Sequence, residues 1–278
     1  MAAVKTAAEL LRQSGLKPKH SWGQNFLSDE SVLKRIAAAA EVGPGDTVLE
    51  LGAGLGHLTR ELLATGATVV AVERDREVAA VLRQELPALS LVEANAADLD
   101  FSKTAGATDL VVVGNLPYHL SSPILFEVLE QWRNVKRAVF TLQAEVVERL
   151  AAEPGGRDYG LLTVLLGLHY DSQECFKLGR HLFHPPPKVD SAVLRLDRLA
   201  APRAVVTDEA RFKKVVKAGF AHRRKTLSNS LKSDRELDEA YDLAASLAAA
   251  GIDGKRRAET LSVAEFAALE RSLTSSSA

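Results

Sequence analysis

The sequence of 278 residues has a single cysteine, a single methionine and few aromatic residues, at 5% of the chain. Because Cys175 has no second thiol to pair with, an intramolecular disulfide framework and a zinc site built from cysteines are both excluded. The most apolar stretch, LLTVLLGL at 161–168, is far shorter than the roughly 20 residues of a membrane-spanning helix. No apolar signal segment with a cleavage site is recognisable, so we expect a cytoplasmic protein with neither a membrane partner nor a metal site.

The chain also lacks an excess of either charge, with 35 Lys and Arg against 36 Asp and Glu. Hydrophobic residues make up 46% of the sequence, which together with the balanced charge excludes disorder over most of the chain. The even total hides a local excess, since residues 211–235 contain nine basic residues and one acidic residue, Asp234. Such a cluster can bind phosphate groups, or it can be an ordinary solvated helix face.

Short apolar runs alternate with stretches of helical spacing between about residues 46 and 113. Runs rich in Val and Leu predict buried strands at 47–51, 68–73, 89–94 and 109–114, and helical spacing predicts helices at 57–66 and 75–86. This alternation is typical of an α/β fold in which helices cover a parallel sheet. Later strands of the same sheet are expected at 136–143 and 191–197, whereas the Pro-rich residues 183–190 are predicted to form a loop.

The composition changes near residue 199, where Ala, Leu and charged residues become dominant. Helical spacing recurs at 208–220, 236–250 and 262–271, without a convincing strand. We therefore predict two domains, residues 1–198 and a smaller, helical and locally basic domain at 199–278. No dimerisation pattern is visible, and we expect a monomer.

The segment GAGLG at 52–56 follows a predicted strand and precedes a predicted helix, so that a ligand can approach the backbone closely. Its spacing is G-x-G-x-G rather than the G-x-G-x-x-G of dinucleotide sites. Glu73, which ends the next strand, is suited to accept hydrogen bonds from ribose hydroxyls, and Glu50 is a second acid at the same edge. These residues favour S-adenosylmethionine, with a dinucleotide or a purely structural turn as alternatives.

The tetrapeptide NLPY at 115–118 follows the strand at 109–114, at the edge where ligands bind in open α/β sheets. Pro117 forces an extended turn, so the side chain of Asn115 and the carbonyl before the proline can face one cavity. Two such acceptors suit an exocyclic amine and would stabilise the positive charge that develops on it during methyl transfer. Tyr118 offers a face for a planar base. The alternative is a proline turn beside a core tyrosine.

Seven segments, in their order and spacing, resemble the S-adenosylmethionine-dependent rRNA adenine N6-dimethyltransferases. They are KPKHSWGQNFL (17–27), VLELGAGLGHLT (48–59), NLPYHLSSPIL (115–125), LQAEVVERL (142–150), PGGRDYGLL (154–162), FHPPPKVDSAV (183–193) and FAHRRKTLSNSL (220–231). The resemblance runs through nearly the whole chain. It implies a Rossmann-like class I methyltransferase domain followed by a smaller all-helical domain.

The resemblance also implies roles for individual residues. Around the cofactor, Asn25 and Leu27 would close over it, Gly52 would lie at its methionine end, Glu73 would bind its ribose, and Asn115 would contact both its edge and the target amine.

Three further residues would bind the target base. Pro117 would lend structure and a carbonyl, Tyr118 would stack on the adenine, and Phe183 would form the second aromatic wall around the flipped base. A loop anchor is the alternative role for Phe183.

The sequence departs from the family's pattern at two positions. Asn95 stands where relatives have an Asp that contacts the cofactor adenine, and its carbonyl can still accept a hydrogen bond from that ring's amine. Asp98 is an alternative that is out of register. His119 follows NLPY where relatives usually have Asn, and we assign it no catalytic role.

The substrate that the resemblance implies is a pair of adjacent adenosines in the 3′-terminal hairpin loop of small-subunit 16S rRNA. Each adenosine would receive two methyl groups at N6. Arg223, Arg224 and Lys225 are the candidates for contact with rRNA phosphates. The alternatives are methylation of large-subunit rRNA, as in the antibiotic-resistance branch of the family, a non-catalytic assembly factor of the small subunit, and a nucleotide-dependent oxidoreductase.

Overall fold

A computed structural model describes residues 5–274, which separate into two compact units. The first contains the residues up to Val147 together with Gln173–Arg198, and the second contains Glu148–Ser172 and the residues from Leu199 onward. The sequence predicts one boundary after residue 198, whereas the structure groups 148–172 with the C-terminal residues. The reason is the apolar helix in this segment, which packs on helices of the second unit.

The strands follow the predicted alternation closely. Within the described residues they are β1 (Phe26–Leu27), β2 (Thr47–Leu51), β3 (Thr68–Val72), β4 (Ser90–Val92), β5 (Leu110–Asn115), β6 (Val135–Gln143), β7 (Tyr170–Leu178), β8 (Phe183–His184) and β9 (Ser191–Arg198). In the described part of the chain, the large sheet has the strand order β4-β3-β2-β5-β6-β9-β7. The α/β fold class predicted from the sequence is confirmed.

The sheet is mixed rather than fully parallel. Strands β4, β3, β2, β5 and β6 pair in parallel, and β9 then pairs antiparallel with β6, Ser191 lying opposite Gln143. Val48, Leu49 and Leu51 of β2 have no exposed surface. Continuous apolar strands of this kind are stable where helices cover both faces of a sheet.

Within the described residues, the helices include all five segments that the sequence predicts, within two residues of the predicted limits, together with seven helices that it does not predict. They are α1 (Ala7–Ser14), α2 (Glu30–Ala40), α3 (His57–Ala64), α4 (Arg76–Glu85), α5 (Phe101–Ala105), α6 (Ser121–Glu130), α7 (Ala144–Leu150), α8 (Leu161–Gly167), α9 (Glu209–Phe220), α10 (Leu227–Leu231), α11 (Arg235–Ala240), α12 (Leu243–Ala249) and α13 (Val263–Arg271). The helix predicted at 236–250 is two helices, because the chain is extended at Tyr241 and Asp242 caps the second one. No helix within residues 5–274 is both long and apolar enough to cross a membrane.

The Pro-rich residues 183–190 are not entirely a loop. The first two form β8, which pairs antiparallel with β1 so that Leu27 lies opposite Phe183. This small sheet brings the segment QNFL beside the Pro-rich loop.

Candidate active site

A cavity of about 1010 Å³, including the part open to solvent, lies in the first unit around the carboxyl ends of β2, β3 and β5. Eight of the residues predicted from the sequence line it: Asn25, Leu27, Gly52, Glu73, Asn115, Pro117, Tyr118 and Phe183. Residues from five separate segments thus meet at one place. Such a concave, mostly apolar site with a few polar groups is typical of a small-molecule site.

The glycine turn is held against Glu73 by backbone hydrogen bonds. The N–H of Gly54 donates to one carboxylate oxygen of Glu73 at 2.9 Å, and the N–H of Asp75 donates to the other at 2.8 Å. Gly52 and Gly54 have left-handed φ angles of 74° and 55°, and a Cβ on Gly54 would lie 3.3 Å from the ring of Phe26. Glycine is therefore required for the turn itself and for the close approach.

Glu50 is the most deeply buried acid of the cavity, with 1% of its surface exposed. Burial and, to a smaller extent, the neighbouring Glu73 raise the pKa of its carboxyl group to about 8, although the hydroxyl of Thr59 opposes the increase. Burial also raises the pKa of Glu73, although the backbone donors on Asp75 and Gly54 oppose this. Oε2 of Glu50 has no hydrogen-bond partner among the described residues. A cationic or donating ligand group would satisfy this oxygen and favour its ionised form.

Asn115 is the last residue of β5, and its side chain is fixed by the QNFL segment. Its Nδ2 donates to the carbonyl of Asn25 at 3.1 Å, which leaves the amide oxygen as the acceptor for a ligand. The carbonyl of Pro117 accepts the N–H of Leu120 at 2.9 Å and so closes a helical turn. Leu116, between them, lines the cavity.

Two aromatic side chains contribute to the cavity wall. Tyr118 is half-buried, and its hydroxyl lies 2.8 Å from the hydroxyl of Ser191. Phe183 is 4% exposed and is held in β8 opposite Leu27. A flat apolar ligand such as a purine matches walls of this kind.

Asn95 is not among the residues that line the cavity, although Ala94 and Ala96 on either side of it are. Its Nδ2 donates to the carboxylate of Asp98 at 2.6 Å, while its Oδ1 is buried without a partner among the described residues. The two candidates for contact with the adenine ring are thus bonded to each other.

Sequence reasoning missed a group of residues that hold the segment 19–24 at the rim of the cavity. Asp75 accepts hydrogen bonds from Lys19 at 2.9 Å and from Gln24 at 2.7 Å. Nζ of Lys19 lies 4.9 Å, and the guanidinium carbon of Arg74 lies 4.2 Å, from the centroid of the Trp22 ring. Arg74 directly follows Glu73 in the sequence, and a cation beside this acid at the edge of the sheet was a signal that could have indicated an aromatic partner.

The basic segment belongs to the second unit. Arg223, Arg224 and Lys225 are exposed in the turn before α10, and the guanidinium of Arg223 donates to the carbonyl of Arg157 at 3.0 Å. Exposed cations on a short turn can bind phosphate oxygens without reading a base sequence.

Comparison with known proteins gives a consistent pattern. The family model described as ribosomal RNA adenine dimethylase matches residues 15–275. A protein of Myxococcus xanthus named ribosomal RNA small subunit methyltransferase A is 61% identical over 271 residues, which cover 97% of this chain and 96% of that protein. A protein of the same name from Anaeromyxobacter sp. (strain K) is 54% identical, covering 95% of this chain and 96% of the other.

Two solved structures resemble this one. A dimethyladenosine transferase from Plasmodium falciparum superposes with a TM-score of 0.74 at 24% identity, over 88% of this chain and 95% of that one. The 23S rRNA methyltransferase ErmE superposes with a TM-score of 0.69 at 30% identity, over 90% of this chain and 99% of that one.

Proposed function

The chain belongs to the ribosomal RNA adenine dimethylase family, and from this membership we propose that it dimethylates N6 of two adjacent adenosines in the 3′-terminal hairpin loop of small-subunit 16S rRNA. The observation that carries the proposal is the meeting of NLPY with the glycine turn and Glu73 in one cavity. A site that held only a cofactor would not need the amide acceptor of Asn115 together with the aromatic walls of Tyr118 and Phe183. The protein acts as a monomer in the cytoplasm.

S-adenosylmethionine is the cofactor that fits the residues present. The glycine turn allows close approach at Gly52, Glu73 accepts hydrogen bonds from the ribose, and Asn25 and Leu27 close the cavity from the QNFL side. The unpartnered oxygen of Glu50 suits a cationic group. When bound, the cofactor supplies an electrophilic methyl group.

The protein's own part in the reaction is to grip the target amine. The amide oxygen of Asn115 and the carbonyl of Leu116 accept the two N–H groups, while Pro117 holds the turn that presents them. These acceptors draw the amine nitrogen out of conjugation with the ring and stabilise the charge that develops on it. Tyr118 and Phe183 hold the flipped adenine between them, which fixes the direction of attack.

Recognition of the ribosome is assigned to the helical domain at 199–278. Arg223, Arg224 and Lys225 bind rRNA phosphates, which fixes the position of the RNA rather than reading its bases. The small subunit is preferred over the large one as substrate because the relatives named for the small subunit are 61% and 54% identical to this chain, against 30% for the 23S rRNA enzyme.

The proposal is tested by methyl transfer from labelled S-adenosylmethionine to unmethylated small subunits, with large subunits and naked rRNA in parallel. Mass spectrometry identifies the modified base. Dimethyladenosine in small subunits alone is the expected result. Label in large-subunit RNA would instead favour the resistance branch, and intact cofactor binding without any transfer would favour an assembly factor.

Two sets of variants separate the parts of the proposal. Asn115→Ala should abolish transfer while the protein still binds small subunits. Arg223→Glu with Arg224→Glu should weaken subunit binding at moderate salt but leave cofactor binding unchanged. Equal subunit affinity of this double variant and the wild type would exclude the phosphate role.

A further inference from the structure

Ser191, the first residue of β9, has no exposed surface although it carries a polar side chain. Its Oγ lies 2.8 Å from the phenol oxygen of Tyr118, which is more than 70 residues away in the sequence. A buried hydroxyl of this kind requires a partner. Here the partner is Tyr118, the side chain that is proposed to stack on the target adenine.

The backbone around Ser191 is held rigidly from two sides. Ser191 lies opposite Gln143 in the antiparallel pairing of β9 with β6. The carbonyl of the preceding residue, Asp190, accepts the N–H of Ala144 at 3.0 Å, and its carboxylate accepts the N–H of Arg180 at 2.9 Å. The serine hydroxyl is therefore a fixed point of the sheet rather than a group on a loose loop.

Asp190 also closes the loop that carries the other aromatic wall. The bond from Arg180 to Asp190 spans the Pro-rich loop, and Phe183 lies within it, paired with Leu27. Both aromatic residues are thus connected to the start of β9, Tyr118 by its hydroxyl and Phe183 by the loop that contains it. The start of β9 therefore helps to hold both aromatic walls of the cavity.

The phenol oxygen of a tyrosine lies on the Cβ–Cγ axis about which the ring turns, so a hydrogen bond at that oxygen fixes the direction of this axis, while the packing around the ring sets its plane. Burial raises the pKa of the Tyr118 phenol, which remains protonated at neutral pH and can donate to Ser191. Without that bond, the ring keeps its apolar contacts but loses the group that fixes the direction of its axis.

We propose that Ser191 is a positioning residue that holds the ring of Tyr118 in the place needed to stack on the target adenine, by fixing the direction of the ring axis. The inference rests on the proposed function, since it assumes that Tyr118 binds the base. Ser191 is not among the described residues that line the cavity, and it acts only through the tyrosine hydroxyl.

Steady-state methylation of small subunits tests the proposal with Ser191→Ala, Tyr118→Phe and the double variant. Each single change removes one hydrogen bond, so kcat should fall about 2- to 10-fold. The KM for subunits and the Kd for cofactor should remain as in the wild type, because phosphate contacts and the cofactor half of the cavity are intact. The double variant should be no slower than the slower single variant.

Ser246→Ala is the matched control, because Ser246 is equally buried, its hydroxyl donates to the carbonyl of Asp242 at 2.7 Å, and it lies in the second unit. It should leave kcat unchanged. An unchanged kcat in Ser191→Ala, or losses that multiply in the double variant, would overturn the positioning role. If Ser191→Ala does not fold, Tyr118→Phe still tests the same bond, because it keeps both the ring and the serine.

A second readout is independent of activity. The chain has four tyrosines, so ring-labelled protein gives few signals, and Tyr118→Phe assigns the one of interest. The Tyr118 Cζ signal should shift in Ser191→Ala, and the signals of its ring protons should shift as the ring axis changes direction. No methylation by the wild type, with these changes present, would refute the proposed function but not the hydrogen bond. Methylation without these changes would refute only the role of Ser191.

Discussion

The buried carboxyl group of Glu50 should make the first unit less stable as the pH rises, and Glu50→Gln should remove this dependence. The pKa of Glu50 is raised from 4.5 to about 8 by burial. Below pH 4.5, the pKa of this carboxyl group in the unfolded chain, both the folded and the unfolded states are protonated and the full stability is present. Stability is then lost progressively until the pH passes the folded-state pKa of about 8, because the folded state keeps a proton that the unfolded state releases.

The magnitude follows from the size of the shift. At about 1.4 kcal/mol for each pKa unit, the loss attributable to Glu50 is about 3 kcal/mol at pH 7 and about 5 kcal/mol above pH 8. Glu50→Gln should therefore lie within about 1 kcal/mol of the wild type at pH 4.5 and exceed it by several kcal/mol at pH 8.5. The stability gain of Glu50→Gln over the wild type should disappear when a cationic ligand binds beside Glu50, because the ligand stabilises the ionised carboxylate.

Urea unfolding between pH 4.5 and pH 9 measures this difference. Trp22 and Trp132, the two tryptophans of the chain, both belong to the first unit, so their fluorescence follows the unfolding of that unit. Glu30→Gln is the control, since the Glu30 side chain is 67% exposed and its replacement should change stability by less than about 1 kcal/mol at every pH. A difference between Glu50→Gln and the wild type that is constant with pH would refute the reasoning.

Three further changes test other parts of the molecule. Gly114→Ala would place a Cβ 2.6 Å from the carbonyl oxygen of Leu51. Urea unfolding should therefore show a loss of stability of about 1–3 kcal/mol, and methyl transfer should fall. Gly43→Ala, which has open space around its Cβ, is the control and should change neither. Trp22→Leu removes the ring that Lys19 and Arg74 contact, and should raise the Kd for cofactor about 2- to 5-fold in calorimetry. An unchanged Kd would show that this contact does not hold the segment 19–24 at the rim of the cavity. Glu270→Gln removes a buried charge that accepts hydrogen bonds from Arg211 and Thr207. The second unit should lose about 3 kcal/mol of stability, measured by far-UV circular dichroism. A loss seen only in the tryptophan fluorescence of the first unit would contradict this.

The central strands were predictable because buried parallel strands have little choice of composition. Thr47–Leu51 was predicted to the residue, since a run of this kind between turn residues has one reading in an α/β chain. Strand β7, Tyr170–Leu178, was not predicted, because it lies at the edge of the sheet and alternates exposed and partly buried residues. Its sequence, YDSQECFKL, carries no apolar signal that distinguishes it from a loop.

The site was predictable to the extent that its residues follow strands. Gly52, Glu73 and Asn115 stand at or just beyond the ends of neighbouring parallel strands, so their convergence follows from topology alone. The contact of Trp22 with Arg74 depends on how a segment without regular pattern crosses the cavity. The bond from Asn95 to Asp98 depends on the choice of side-chain torsion angles, which the sequence does not specify.

The division of the chain between the two units has a consequence for the order in which the protein can be assembled during translation. Helix α8, whose apolar residues lie against α9 and α13, leaves the ribosome before either of these helices exists. Strand β9 is likewise made after β6 and β7, the strands between which it must insert. The first unit is complete once residue 198 has been made, but a chain cut there would leave the apolar face of α8 open to aggregation, because α9 and α13 follow later in the sequence. Only the chain carried through to α13 buries that face.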